Sequence, residues 1–256
     1  MSNVKKSFLS ATTPFITEMV QVPTADLAKQ KISLAIKDGA TAIGLQLDVL
    51  EREFRTEKVL TEIIATAKDV PVYLTNYRKN LNQGDSDEQL LQELLLGLKC
   101  GATLIDVMGD AFCISPEELT TDQTAIKKQM EYIDQVHKLG GEVLISSHVY
   151  QFRSAERVLE MALEQQRRGA DVVKIVTCAT TQEQEWENLR ICTLLKQNLK
   201  VPFLFLSSGT FNQLHRRIGP ALGVNMWLCF REYDKFTYVG PPLLSEVVKL
   251  KEGLKL

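Results

Sequence analysis

The chain has 256 residues, of which 45% are hydrophobic and 24% charged, enough apolar material for one large core. A formal net charge of -2 and a pI near 6.0 give no basic footprint for nucleic acid, and no charge run marks an arm or tail. No apolar stretch approaches the ~20 residues that a membrane span needs, so a soluble protein with a small-molecule partner is expected.

The opening "MSNVKKSFLS" has two lysines but no apolar segment of signal-peptide length, which argues against secretion. Cys100, Cys113, Cys178, Cys192 and Cys229 are odd in number and never spaced C-x-x-C. They read as reduced thiols in a cytoplasm, with no metal site implied.

Along the chain one local pattern recurs: "DGATAIGLQLD", "CGATLIDVMGD", "GGEVLISSH" and "RGADVVKIV" each place a glycine to end a helix and then run into short apolar segments. With "KSFLSAT", "VPVYLTNY", "VPFLFLSS" and "VNMWLCF", eight strands are expected, beginning near residues 7, 42, 71, 104, 142, 171, 201 and 225. Apolar residues at three- and four-residue spacing predict helices over 24–38, 56–68, 87–99, 122–139, 154–168, 182–196, 212–219 and 243–251. Eight strand-helix units without a Pro/Gly/Ser-rich linker predict an α/β fold of the (β/α)8 TIM-barrel type, one domain over residues 1–256. A doubly wound sheet is the alternative, but the segment "SATTPFITEM" lacks the glycines of its phosphate loop.

Within "RGADVVKIVT", Lys174 interrupts a run that reads as buried. Desolvation lowers an amine's pKa and leaves more of the neutral form that attacks carbonyls, so Lys174 is a candidate Schiff-base nucleophile. The plainer reading is a lysine that snorkels or pairs with Asp106 or Asp171. His148 ends the preceding strand "EVLISSHVY"; neighbouring barrel strands lie ~4.8 Å apart, so it can share a pocket with Lys174 and carry protons there. His137 and His215 read as surface residues, Trp186 and Trp227 as core aromatics, and Cys178 as a pocket neighbour without chemistry.

"SSH" closing the fifth strand, followed by "GADVVKI" on the sixth, resembles the type I 3-dehydroquinate dehydratases. "YLTNYR" and "GTFNQLHRRIG" extend the likeness over nearly the whole chain. The resemblance implies a cofactor-free lyase of the shikimate/quinate pathway, serving aromatic amino acid biosynthesis, whose substrate is a hydroxylated keto acid. Lys174 would form an imine with the substrate ketone, and His148 would remove the adjacent proton and then protonate the departing hydroxyl. It also implies that Arg78 lines the pocket and that Arg216, with Arg217 competing, binds the substrate carboxylate. A homodimer is expected only because twofold pairing is the commonest association.

The chain departs from the family pattern at several positions. Where the family carries Glu-x-Arg-x-Asp on its second strand, Gly44 and Gln46 stand with Asp48. Asn82 stands for the glutamate that orients the catalytic histidine, which predicts a weaker and less firmly held His148. "TYVGPP" lacks the serine and glutamine of the eighth-strand loop and leaves Tyr238 or backbone groups to substitute. Gln46 and Asn82 remain substrate-binding candidates. Three functions follow: a divergent, slow or substrate-altered dehydroquinate dehydratase; another Schiff-base lyase or aldolase; and a non-catalytic ligand-binding protein that keeps the barrel.

Overall fold

Eight parallel strands alternate with eight α-helices in the computed structural model, which describes residues 7–9 and 14–256. The strands are β1 (Phe15–Val20), β2 (Ala42–Gln46), β3 (Val72–Thr75), β4 (Leu104–Met108), β5 (Glu142–His148), β6 (Val172–Cys178), β7 (Phe203–Ser208) and β8 (Met226–Cys229). The helices are α1 (Ala25–Lys37), α2 (Glu57–Ala65), α3 (Asp87–Lys99), α4 (Gln123–Lys138), α5 (Ala155–Arg167), α6 (Gln182–Asn198), α7 (Gln213–Ile218) and α8 (Leu244–Leu254). Strands pair in the order β7-β6-β5-β4-β3-β2-β1-β8. The ring is drawn together at its lower end, where Asn225 N donates to Phe203 O (2.8 Å) and Phe15 N donates to Asn225 O (2.9 Å). The fold is the expected (β/α)8 barrel.

Side-chain caps set the helix starts. Thr24, Thr56, Ser86, Asp122, Ser154 and Thr181 each accept a backbone N–H of the first turn, and Ser86 with Gln89 closes a capping box. No helix among the described residues is long and apolar enough to cross a membrane.

Register decides which side chains enter the barrel, because residues paired across parallel strands share a face. Met19, Gly44 and Tyr73 align across β1 to β3, Ser146 aligns with Lys174 and Leu204 across β5 to β7, and Asp106 aligns with Leu144. The interior therefore receives Tyr73, Asp106 and Lys174 at mid-height. Below them the Phe8 ring is fully buried near Phe15 and Tyr73, and its N–H donates to the Glu142 carboxylate (2.9 Å).

Three expectations are corrected here. The first strand is "FITEMV", not "KSFLSAT": Ser7 to Leu9 form a bend beneath the barrel, and the rest of that segment lies outside the described residues. The strand escapes an apolar-run reading because Thr17 and Glu18 interrupt it, yet both are buried. His215 is not a surface residue; it is 1% exposed, its Nε2 lies 3.4 Å from Cys192 Sγ, and its ring meets Phe205 edge-on. Trp227 is buried as expected, whereas Trp186 is 50% exposed on α6. His137 is exposed and contacts Asp171 (2.8 Å).

Burial, with Arg216 adding to it, pulls the His215 imidazole from 6.5 down to about 3. The unfolded chain takes up this proton below 6.5 and the folded chain does not until about 3. Its contribution is thus fully present above 6.5 and is lost as pH falls through that window, at up to about 1.4 kcal/mol per pH unit. Urea unfolding between pH 8 and pH 4.5 checks this: His215→Leu should flatten the acid slope, and an unchanged slope would contradict it.

Candidate active site

A cavity of about 600 Å³ opens at the upper, C-terminal ends of the strands, a volume suited to a small molecule. Lys174, His148, Gln46 and Arg216 all line it. Lys174 points into the barrel with 4% of its side chain exposed, and its Nζ donates to Tyr77 Oη (2.6 Å), Asp106 Oδ2 (2.9 Å) and Tyr73 Oη (3.1 Å). Asp106 also accepts from both tyrosine hydroxyls, at 2.6 Å from Tyr77. The carboxylate of the plainer reading is therefore Asp106; Asp171 instead accepts from Val143 N and meets His137.

Burial pulls the Lys174 amine below its ordinary value, and the facing Asp106 charge opposes that shift. Burial alone would push the Asp106 carboxyl up, but Lys174 and then His148 outweigh it and hold it below the usual carboxylate range. Both tyrosine hydroxyls are pushed up, by burial first and by Asp106 second, so they stay protonated and can donate. The result is one cation and one anion sharing two neutral hydroxyls in a water-poor interior.

His148 meets this cluster at Tyr77, whose ring stands edge-on to the imidazole at 5.0 Å. Its Nδ1 lies 2.9 Å from Glu118 Oε1. A carboxylate can only accept, so Nδ1 carries the proton and Nε2 is left as the basic nitrogen. Glu118 lies on the β4–α4 loop, with Ser147 Oγ donating to its carbonyl (2.9 Å). Gly109 lets that loop come close, since a Cβ there would fall 2.6 Å from Glu118 O. Arg168, buried at the end of α5, pins the same loop by donating to Gly109 O (2.9 Å) and Thr120 O (2.5 Å).

This geometry corrects the expectation that His148 is weakly oriented. Asn82 lies outside the cavity: its Oδ1 accepts from Arg55 (2.7 Å), and its Nδ2 donates to Asn76 Oδ1 (2.7 Å) and Tyr77 O (3.0 Å). Asn82 braces the β3–α3 loop, while the carboxylate beside the histidine comes from another loop. Arg78 is likewise outside the cavity, donating to Asp87 (2.6 and 2.7 Å) and Asp110 (2.7 Å). Its guanidinium is committed to these two carboxylates and to the Asp110 carbonyl rather than to the cavity.

Between the two competing arginines, Arg216 lines the cavity and anchors its Nε on Ser207 O (2.6 Å), while Arg217 turns away to Gln213 and Glu246. Gln46 reaches the cavity but accepts from Gln21 (2.8 Å) and donates to Asp48 (3.0 Å). Tyr238 also lines the wall, half exposed. Cys178 is buried and does not line it. The sequence reading missed Glu118, Tyr73 and Tyr77. The two tyrosines could have been found from the third strand's alternation, whereas Glu118 is 30 residues from His148 in an irregular loop.

The buried pair makes a stability prediction. Lys174→Met should cost about 3–5 kcal/mol, because it strands the Asp106 charge in the barrel. Adding Asp106→Asn should recover more than half of that loss in urea unfolding; a neutral Lys174→Met would show that the pair contributes nothing.

The architecture agrees with what comparison with other proteins finds. Among solved structures, the 3-dehydroquinate dehydratase of Geobacillus kaustophilus HTA426 superposes with a TM-score of 0.80 at 14% identity, covering 98% of this chain and 95% of that one. The type I 3-dehydroquinate dehydratase of Clostridium difficile, solved with covalently modified comenic acid, gives 0.79 at 18% identity over 96% and 94%. A putative phosphonomutase from Burkholderia cenocepacia J2315 is more distant, at 0.56 and 16% over 83% and 85%. These likenesses are of fold. No curated protein matches the chain. The model of the type I 3-dehydroquinase family matches residues 18–228, and the chain belongs to that family.

Proposed function

We propose that the protein is a Schiff-base dehydratase of the 3-dehydroquinate dehydratase type, acting on a carboxylated ketone that bears a hydroxyl β to the carbonyl. The observation that carries this reading is the buried Lys174 amine opening on the same cavity as His148. The Lys174 amine, having passed its proton to Asp106, adds to the ketone carbon, and loss of water gives the imine. The iminium then draws electrons from the neighbouring C–H bond as His148 Nε2 takes the proton. The resulting enamine expels the β-hydroxyl as water, which receives its proton from the imidazolium. Hydrolysis of the conjugated imine releases the enone acid and restores the amine. Arg216 holds the carboxylate, and Glu118 keeps the imidazole in one tautomer while sharing its positive charge.

A second reading, a ligand-binding protein without turnover, is favoured by one observation: Lys174 Nζ already has three oxygen partners. Borohydride reduction in the presence of 3-dehydroquinate at millimolar concentration separates the two. The proposed function expects a reduced adduct located on Lys174 by tandem mass spectrometry and growth of an enone absorbance. Absence of both would leave the ligand-binding reading.

Glu118→Gln should lower kcat by about 10-fold or more with little change in KM, because the tautomer is no longer fixed by a charge. Steady-state rates check it, and an unaltered kcat would remove Glu118 from the reaction.

A further inference from the structure

Apolar and polar side chains divide the cavity lining between them, and this division bears on the substrate. At the β2 position aligned with Tyr73 stands Gly44, and the space a side chain would use there is taken by Met19: an added Cβ would fall 2.3 Å from its Sδ. Leu228 from β8 and Phe230, Phe236 and Val239 after it also line the cavity, together with Tyr238, whose ring packs edge-on against Phe230. Nearby polar groups are already paired with one another. Gln21 Nε2 donates to Gln46 Oε1 (2.8 Å), while Gln46 Nε2 and Asn80 Nδ2 both donate to Asp48 Oδ2 (3.0 and 2.6 Å). A ring hydroxyl brought against this part of the cavity would lose water and meet a thioether, an alkyl group or an amide already bonded. Each such unpaired hydroxyl costs roughly a factor of ten in affinity. Open charge comes from Arg216 on the β7 side, where Ser208 and Asn212 also line the cavity, and from the exposed Lys79.

We propose that the site selects a carboxylated ketone whose body is apolar apart from its leaving hydroxyl, packed against Met19, Leu228 and Phe236, rather than a polyhydroxylated ring. This rests on the proposed function for the placement of carboxylate at Arg216 and ketone at Lys174. The division of the walls sets the specificity, and the amine sets the chemistry.

Two carboxylates of matched ring size test it on the wild-type protein: cyclohexanecarboxylate and quinate, which carries the same ring with four hydroxyls. Neither has a ketone, so neither can form an imine, and a failed trapping experiment leaves this comparison intact. Calorimetric or ligand-detected NMR titration should show cyclohexanecarboxylate bound at least about tenfold more tightly than quinate. Met19→Ser should narrow that ratio by weakening the first ligand and improving the second. Equal or tighter binding of quinate, or no binding of either ligand, would overturn the proposal. So would a ratio indifferent to Met19→Ser in a variant with unchanged circular dichroism.

Discussion

The structure depends on a charge kept inside a barrel. An ammonium taken out of water costs several kcal/mol unless another charge and hydrogen-bond partners replace its hydration. Here β6 supplies the cation, β4 the anion, and β3 and the residues after it the two tyrosines that bridge them. All the ammonium donors are used, and every partner but one is neutral. The arrangement keeps the amine's pKa under two opposed influences, burial against Asp106. Under the proposed function, passing the ammonium proton across the 2.9 Å to Asp106 would free the amine to attack a carbonyl.

The second constraint is the orientation of His148. Its partner is delivered by a loop that three unrelated features hold in place: Gly109 for close approach, Arg168 for anchoring, and Ser147 for the final hydrogen bond to Glu118 O. Arg168 caps the end of α5, with only Gly169, Ala170 and Asp171 between it and the strand that carries Lys174. The same turn of chain that starts β6 therefore also steadies the loop facing β5. Fold and site share residues, so the carboxylate for the histidine need not come from the β3–α3 loop, where Asn82 has become part of a buried brace.

Much of this was legible in the sequence because local rules act alone there. The helix predicted over 87–99 is found at those bounds, since a serine cap and an apolar stripe mark it without help from the rest of the chain. Lys174 announced itself as a lysine in an apolar run. The first strand did not, because its buried Thr17 and Glu18 look like surface residues until partners from the other end of the chain are known. His215 was misread for a related reason: two arginines follow it, yet the helix turns its imidazole inward onto Phe205 and Cys192. Glu118, Arg78 and Asn82 were beyond reach because their partners are set by how loops meet in space. A motif fixes the order of such residues and not the direction in which each one points.

The most direct test is the titration of the Lys174 amine itself, followed by the ¹⁵N signal of Nζ in protein carrying labelled lysine. The account predicts a midpoint below that of an ordinary lysine, and a further fall when Asp106→Asn removes the opposing charge while burial stays. An amine that titrates like a free lysine and ignores the Asp106→Asn change would contradict it.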